Sequence, residues 1–241
     1  MRRFLFILFF ITAGLLPLAA SAQGTELYLL RYDYVRRWRF GFSLGVNIFD
    51  FTVINSMQEV NLDAQQKGVL WADVVNPQPG FNINGIVDYR LSHYFNLRAL
   101  PGICFGSRQL NFYNNNDGAL HHSMMLESNY VELPILVKFS AKRMSNYRPY
   151  LVGGVNTRFN MNWKTAEEKG NYISSIVFEP FYEFGAGLDI YFYFFKLSLE
   201  IKYSGTLINN LGSSIVVGQE AYHNAIDRLN SQIFIFAIHI E

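Results

Sequence analysis

Hydrophobic and polar residues alternate with a period of two along most of this chain, and residues 39–48 show the pattern most clearly. One set of alternating positions in this segment carries Phe40, Phe42, Leu44, Val46 and Ile48. The positions between them carry arginine, glycine, serine, glycine and asparagine. Because side chains of a β-strand point alternately to opposite faces, the pattern predicts a strand with one apolar and one polar face.

Seven further segments follow the same alternation and predict seven more strands. They lie near residues 81–91, 95–108, 131–139, 148–161, 183–192, 196–203 and 234–241. The links between strands alternate in length, with short links near 92–93, 141–147 and 193–195 and long links at 55–78, 109–128, 162–178 and 205–230. An even number of antiparallel strands with alternately short and long links is typical of bacterial outer-membrane barrels, whose short turns face the periplasm.

The distribution of apolar residues distinguishes a membrane barrel from a soluble β-sandwich. Half of the residues are hydrophobic, yet no apolar run after the N-terminal segment is long and unbroken enough for a membrane helix. The apolar faces therefore fit lipid and the polar faces a barrel interior. The predicted fold is all-β: an eight-stranded antiparallel transmembrane β-barrel over residues 38–241, located in the cell outer membrane and preceded by a periplasmic lead-in over residues 23–37.

The N-terminal segment predicts a cleaved signal peptide over residues 1–22. Arg2 and Arg3 form a basic region, residues 4–18 form an apolar core, and a small-residue cleavage site ends at Ala22. A retained anchor is the competing interpretation, but the apolar run is short for a span of about 20 residues. Cleavage would leave 18 basic and 19 acidic residues, a balance that argues against nucleic acid as a partner.

Three local features predict structural roles. Cys104, the only cysteine, falls at an inward strand position and predicts a buried residue, with a reactive thiol as the alternative. Residues 77–80 (PQPG) predict a rigid turn at the end of the first long link. Within the last long link, Tyr222, Ala225, Ile226 and Leu229 have helical spacing, which predicts a short packed helix.

Thirteen predicted inward positions carry charged residues: Arg39, Asp88, Arg90, Arg98, Arg108, Glu132, Lys138, Arg158, Glu183, Asp189, Lys196, Glu200 and Lys202. The lumen of an eight-stranded barrel is just wide enough for side chains to fill it, and opposite charges confined there should pair because an unpaired buried charge is costly. The predicted lumen network comprises Arg90, Arg98, Glu132, Lys138, Glu183, Asp189, Glu200 and Lys202. We therefore expect a plugged core, and a selective channel lined by the same charges is the alternative.

The chain shows no metal-ligand spacing, phosphate-binding loop or nucleophile elbow, so we expect no cofactor, metal or small-molecule substrate. Residues 121–123 (HHS) and, separately, His223 lie in predicted external loops, where small outer-membrane lipid hydrolases place catalytic serine and histidine. Neither site has an orienting carboxylate at a defined spacing, which favours solvent-exposed loop histidines over an enzyme. His93 and His239 lie at strand ends and predict residues of the membrane interface.

The lead-in is the predicted partner-binding surface. Tyrosine and arginine, which are enriched at protein interfaces, interleave along it. The candidate residues are Tyr28, Tyr32, Arg36 and Arg37. A disordered tail that ends at an interfacial tryptophan, Trp38, is the alternative.

Four stretches of the chain carry a family resemblance. They are residues 40–51 (FGFSLGVNIFDF), 76–112 (NPQPGFNINGIVDYRLSHYFNLRALPGICFGSRQLNF), 127–154 (ESNYVELPILVKFSAKRMSNYRPYLVGG) and 183–204 (EFGAGLDIYFYFFKLSLEIKYS). In order along successive strands and short turns, they resemble the PorT family, called SprT in gliding bacteria, whose members are small outer-membrane barrels of the Bacteroidota. The chain departs from the family mainly in the loops.

The resemblance implies an accessory component of type IX protein secretion, with a link to gliding motility, that supports assembly or function of the export machinery. It implies other type IX components as partners, in addition to the surrounding outer-membrane lipid. Since an eight-stranded barrel is too narrow to pass a folded protein, we do not expect this chain to be the conduit. A stand-alone structural or adhesive barrel that acts through its external loops is the alternative.

Overall fold

A computed structural model describes residues 36–56, 59–63, 66–115, 118, 120–161, 177–209 and 224–241. The predicted signal peptide and most of the lead-in lie outside the described residues, as do Tyr28, Tyr32, Tyr222 and His223. The expectations for these segments stay predictions.

Eleven strands make up nearly all of the described part of the chain. They are β1 (Trp38–Asn55), β2 (Glu59–Asp63), β3 (Gln66–Pro77), β4 (Pro79–Arg90), β5 (Phe95–Ala99), β6 (Gly102–Asn114), β7 (Leu120–Ser140), β8 (Tyr147–Asn160), β9 (Phe178–Tyr191), β10 (Lys196–Thr206) and β11 (Ile226–Ile240). Among the described residues, no helix has the length and apolar character needed to cross a membrane.

The antiparallel ladder closes on itself. β1 pairs with both β4 and β11, so that Leu44 lies opposite Ile83 on one side and Ile238 on the other. β5 and β6 keep one register against β4 and β7 and form two parts of the same wall strand. The ring therefore has eight wall strands: β1, β4, β5 with β6, β7, β8, β9, β10 and β11. The predicted eight-stranded antiparallel barrel is confirmed.

The outward side chains of the ring form an apolar belt, as the alternation predicted. Phe42 on β1, Leu133 on β7 and Leu199 on β10 are between 41% and 49% exposed. Leu188 on β9 is half-buried on the same outer face, while its neighbour Asp189 is buried inside. The belt gives the wall a lipid-compatible surface, and the closed ladder leaves its backbone polar groups paired.

Aromatic residues collect at the end of the barrel that carries the short turns. Trp38 and Tyr89 lie opposite each other on β1 and β4, with ring centroids 4.6 Å apart. Tyr193 and Phe194, at the tip of the turn between β9 and β10, are 70% and 84% exposed. Such an aromatic girdle is typical of a membrane interface. Because the turns at this end are short, this end of the barrel is assigned to the periplasmic side.

At the opposite end, three strands extend well beyond the lipid-facing belt. β3 continues the line of β4 and pairs with β6 from Leu70 opposite Asn114 to Pro77 opposite Arg108. β6 and β7 stay paired as far as Tyr113 opposite Leu120. The predicted long loops at 55–78 and 109–128 are therefore wrong for most of their length, because strands occupy them. We call β3 with the outer parts of β6 and β7 the external sheet.

The amphipathic pattern inverts in the external sheet. Its inner face carries an apolar cluster that the start of β11 covers; the buried members are Leu70, Ala72, Leu110, Phe112, Met124, Ala225, Ile226 and Leu229. Its outer face carries polar residues such as Asp73, Gln109 and Ser123. An apolar inside and a polar outside fit water rather than lipid, so the external sheet lies outside the membrane.

One local prediction in the long links is wrong, and another is wrong for Ile226 and Leu229, although Asn224 just before them is helical. Residues 77–80 do not form a turn: Pro77 ends β3 and Pro79 begins β4, and the paired strand runs on through them. Ile226 and Leu229 lie in β11 rather than in a helix, and they are buried because they cover the apolar cluster. In both cases strand pairing with a neighbour overrides the local signal.

The lipid-facing register can be tested by placing a charge on it. Leu188→Arg should reduce the free energy of unfolding by about 2–4 kcal/mol, because it lies near the middle of the outward-facing run from Tyr182 to Phe192 and would hold a guanidinium near the bilayer midplane. Urea unfolding of the barrel in lipid vesicles, followed by the shift in electrophoretic mobility between folded and unfolded protein, measures the change.

Leu207→Arg is the matched control, since Leu207 is exposed just past the outer end of β10. Its cost should be about 0–1 kcal/mol. Equal costs at the two positions would contradict the assignment of Leu188 to the lipid-facing wall.

Candidate functional site

The inside of the barrel is a filled, charged lumen. Thirteen acidic and basic side chains on the wall strands are buried there: Asp88, Arg98, Arg108, Glu132, Lys138, Arg148, Arg158, Glu179, Glu183, Asp189, Lys196, Glu200 and Lys202. They occur where the period-two alternation turns every second residue inward. The charged side chains form three layers: lower, middle and upper, counted from the short-turn end.

The lower layer is built around the ion pair between Asp88 and Arg98. Both Nε and Nη2 of Arg98 donate to Oδ2 of Asp88, at 3.1 and 3.0 Å. Arg39 donates to the other oxygen of Asp88 at 3.1 Å. Arg98 also donates to Glu241 at 2.5 Å, and Lys196 donates to Glu241 at 2.7 Å. Three basic side chains thus share two carboxylates.

A second ion pair of the lower layer joins β7 to β9. Nζ of Lys138 donates to both oxygens of Asp189, at 2.8 and 2.7 Å, and Ser198 donates to the same carboxylate at 2.6 Å. The ammonium also lies 3.7 Å from the ring centroid of Tyr150, a cation–π contact. Tyr150 in turn donates to Glu200 at 2.8 Å, which links this layer to the next.

The Tyr150 ring can cross the lumen because the facing position has no side chain. A Cβ added at Gly187 would lie 2.3 Å from the ring. Gly187 therefore gives Tyr150 the space to reach between Lys138 and Glu200.

The middle layer is built around Arg158. Its Nε donates to Glu132 at 3.0 Å and its Nη2 donates to Glu183 at 3.1 Å. Lys202 donates to the other oxygen of Glu183 at 3.2 Å. Asn156 donates to both carboxylates, at 3.0 Å to Glu132 and 2.7 Å to Glu183. The arginine and the amide hold two acidic side chains from different strands together.

His239 also belongs to the middle layer, which corrects the prediction that it lies at the membrane interface. The side chain is fully buried, and its Nε2 lies 3.3 Å from Oε1 of Glu200. The alternation in β11 explains this position: Ile238 and Ile240 face outwards, so the residue between them faces the lumen. His93, by contrast, lies in an exposed turn beside Tyr94.

The upper layer mixes charge with aromatic packing. Arg108 donates to Ser231 and, at 2.8 Å, to Ser128, and its guanidinium lies 5.0 Å from the ring centroid of Phe49. Tyr130 donates to Glu179 at 3.3 Å. Above this layer the apolar cluster of the external sheet begins. The lumen therefore holds its charged groups within the membrane, beside inward apolar side chains such as Leu136 and Ile235, and is mainly apolar at its outer end.

The structure brings seven of the eight predicted network residues together. Arg98, Glu132, Lys138, Glu183, Asp189, Glu200 and Lys202 are buried and take part in ion pairs. Arg90 is the exception: it is half-buried at the short-turn end of β4 and forms no ion pair within the described residues. It lies on the short-turn side of the lower layer, at the level of Arg37. Its backbone N–H donates to the Arg37 carbonyl oxygen at 2.9 Å.

Sequence reasoning missed four members of the lumen: Glu241, His239, Glu179 and Tyr150. Extending the alternation of β11 would have placed the first two inside. Glu179 was missed because β9 begins at Phe178, five residues before the predicted start of that strand. The alternation of β8 places Tyr150 inside, but its reach between two charged groups depends on the space at Gly187, its pairing partner on the adjacent strand β9.

The remaining sequence candidates lie outside the lumen. Arg36 and Arg37 are exposed ahead of β1. Ser123 lies on the outer face of the external sheet, where it donates to Asn111 at 2.7 Å. Cys104 is buried, as predicted, and its sulfur accepts a hydrogen bond from Asn47 at 3.3 Å. In the described part of the chain, no group of His, Cys, Asp and Glu is arranged to hold a metal ion.

Removal of the central cation should strongly destabilise the barrel. Arg158→Met leaves the buried carboxylates of Glu132 and Glu183 without their shared cation, which should reduce the free energy of unfolding by about 3–5 kcal/mol. Urea unfolding in lipid vesicles measures the change. The control is Arg228→Met, because the Arg228–Asp227 pair is 3.9 Å apart and about two-thirds exposed, and its loss should cost at most about 1 kcal/mol. Similar costs for the two variants would show that the lumen pairs do not hold the barrel together.

The filled lumen also predicts that the barrel does not conduct ions. Purified protein inserted into planar lipid bilayers should give no steady single-channel conductance, because charge pairs occupy the cross-section at the lower and middle layers. A general porin added to the same bilayer provides the control for the recording. Stable, reproducible current steps from the purified protein would contradict a closed lumen.

Three solved barrels are similar to this chain in comparisons of structure. Neisserial surface protein A has 7% sequence identity and a TM-score of 0.42, covering 85% of this chain and 99% of that chain. The outer membrane protein OprG from Pseudomonas aeruginosa has 13% identity and a TM-score of 0.42, covering 83% and 93%. The outer membrane protein AlkL has 11% identity and a TM-score of 0.32, covering 84% and 88%.

Sequence comparison gives a family but no individual relative. No curated protein matches the chain. The model of the family described as "Outer membrane protein beta-barrel domain" matches residues 21–212, which is most of the chain. This match agrees with the apolar belt, the closed ring and the charged lumen, and the protein is accordingly located in the outer membrane. The chain belongs to the outer membrane protein β-barrel family.

Proposed function

We propose that this outer-membrane barrel is an accessory component of type IX protein secretion, which supports the assembly or function of the export machinery without being its conduit. The resemblance of four long stretches to the PorT family supports the secretion role. The filled lumen is the observation that carries the accessory role. With Arg98, Lys138 and Arg158 each paired to carboxylates across the interior, no passage for a polypeptide is left.

A closed barrel can act only through its outer surfaces. These are the lipid-facing wall, the external sheet with its loops, and the rim at the short-turn end. The rim faces the periplasm, where a protein on its way to the outer membrane must pass. We therefore place the contact with other secretion components at the rim and at the lead-in that enters it.

The composition of the rim supports this choice. Arg36, Arg37 and Lys142 are exposed there, and Arg37 lies beside the half-buried Arg90. The acidic side chains near this end are buried and pair with cations of the lower layer; they are Asp88, Asp189 and Glu241. The described part of the rim thus presents basic groups next to the exposed aromatic tip of the β9–β10 turn, a combination suited to binding a protein partner.

The second candidate function is a stand-alone structural or adhesive barrel that acts through its external surface. The external sheet favours this alternative, because it holds a folded polar surface outside the membrane on its own apolar cluster. The two candidates predict different consequences when the protein is lost.

A deletion strain separates them. Loss of the protein should block export of a reporter that carries the type IX signal, and the wild-type gene should restore export. Complementation with a variant that lacks residues 23–35, or with Arg36→Glu combined with Arg37→Glu, should give a folded barrel with strongly reduced export. Reporter in the medium measures export, and heat-modifiable electrophoretic mobility measures folded barrel.

Arg228→Glu, at the exposed outer end of β11, is the matched control and should restore export fully. Full export in the deletion strain would overturn the secretion role and favour the second candidate. Full export by the rim variants at normal barrel abundance would overturn only the placement of the contact at the rim.

A further inference from the structure

The outer face of the external sheet carries an aromatic pair well above the membrane. On β6, Tyr113 lies eight residues beyond Phe105, which ends the run of apolar outward residues on this strand. With a rise of about 3.3 Å per residue and a tilt of about 40°, Tyr113 stands roughly 20 Å beyond the lipid-facing belt. Trp71 lies directly opposite it on β3, and the two ring centroids are 4.7 Å apart with the planes 24° from parallel. Both rings are half-exposed.

A row of hydrogen-bonding side chains runs beside this pair. Asp73, Asn111 and Ser123 lie opposite one another on β3, β6 and β7. Ser123 donates to the Asn111 side-chain carbonyl at 2.7 Å, and the Asn111 amide donates to the Tyr113 hydroxyl at 3.2 Å. The exposed carboxylate of Asp73 accepts the backbone N–H of Val74 at 2.8 Å. We call Trp71, Asp73, Asn111, Tyr113 and Ser123, which all face outwards, the external patch.

The external patch differs from the other aromatic pair on the same line of strands. Phe81 and Phe105 also lie opposite each other, with centroids 4.9 Å apart, but they face lipid among apolar neighbours. Trp71 and Tyr113 instead lie in water, next to the carboxylate of Asp73, the amide of Asn111 and the hydroxyl of Ser123.

Saccharides have the matching chemistry. The C–H groups of a pyranose ring form apolar patches that pack on aromatic faces, while its hydroxyl groups donate to carboxylates and exchange hydrogen bonds with amides and serine. We propose that the external patch binds a saccharide chain of the cell surface, with Trp71 and Tyr113 contacting sugar rings and Asp73 and Ser123 contacting hydroxyl groups. The position outside the membrane makes the saccharide portion of lipopolysaccharide, anchored in the same leaflet, the nearest source.

The test uses the full-length barrel in detergent micelles and the polysaccharide released by mild acid from lipopolysaccharide of the producing bacterium, which is free of the lipid. Isothermal titration calorimetry should show saturable binding with Kd in the micromolar to low millimolar range. Asp73→Ala should weaken binding about fivefold or more without loss of folded barrel, because the Asp73 side chain is exposed and bonds only to the adjacent backbone within the described residues. Trp71→Ala should abolish detectable binding.

Two controls separate recognition from stability. Asp227→Ala removes another exposed carboxylate at the outer end of the barrel and should leave Kd unchanged. Phe105→Ala removes an aromatic pair from the same strands and should lower barrel stability while leaving Kd unchanged.

Three outcomes would overturn the proposal. The first is a folded wild-type barrel that binds no released polysaccharide at millimolar concentration. The second is binding that neither Asp73→Ala nor Trp71→Ala weakens. The third is a protein partner that binds the barrel through Trp71 and still binds after periodate has oxidised the sugars of that partner.

Discussion

Closure of the backbone ladder is the constraint on which the rest of this structure depends. Lipid offers no hydrogen bonds to a strand edge, so β1 must pair with β4 on one side and β11 on the other. A ring of eight strands then fixes the diameter, and the diameter fixes what the inward residues can do. There is room for side chains and little else. Each charge that the alternation sends inwards must find a partner across this short distance.

In the lumen, several charged side chains bind two or more partners instead of forming one-to-one pairs. Arg158 pairs with two carboxylates, and Glu241 pairs with the two cations Arg98 and Lys196. Asn156 donates neutral hydrogen bonds to the two carboxylates that Arg158 binds. Ion pairs of this kind are weak contributors to stability when compared with apolar packing of the same volume, but each becomes expensive once one partner is removed. The network therefore favours one arrangement of the strands over shifted ones, since a register slip of one residue would turn these charges towards lipid.

The sequence predicted the membrane-embedded part of the fold well because a single rule governs it. Period-two alternation with the apolar set outside identified the eight wall strands, the lipid-facing residues Phe42 and Leu199, and seven of the eight network residues. The rule failed where the surroundings of the strand change. In the external sheet the apolar set moves inside, so Leu70 and Leu110 were assigned to loops. Tyr150 was missed because its role depends on Gly187, a residue distant in sequence, and Arg90 was wrongly included because alternation shows the face but not the depth in the lumen.

The contact between Arg98 and Glu241 has a consequence for the order of assembly. The two residues are 143 positions apart, and Glu241 follows directly on β11, the strand that seals the ring. Until β11 joins β1 and β10, Arg98 and Lys196 lack this carboxylate, so a sheet that has not yet closed carries excess positive charge towards its future interior. Insertion of such a sheet into lipid is unfavourable, whereas in the sealed ring both Arg98 and Lys196 are paired with Glu241. Glu241 thus pairs with Arg98 and Lys196 in the same step in which β11 closes the wall. Insertion into lipid has a low cost only after this step.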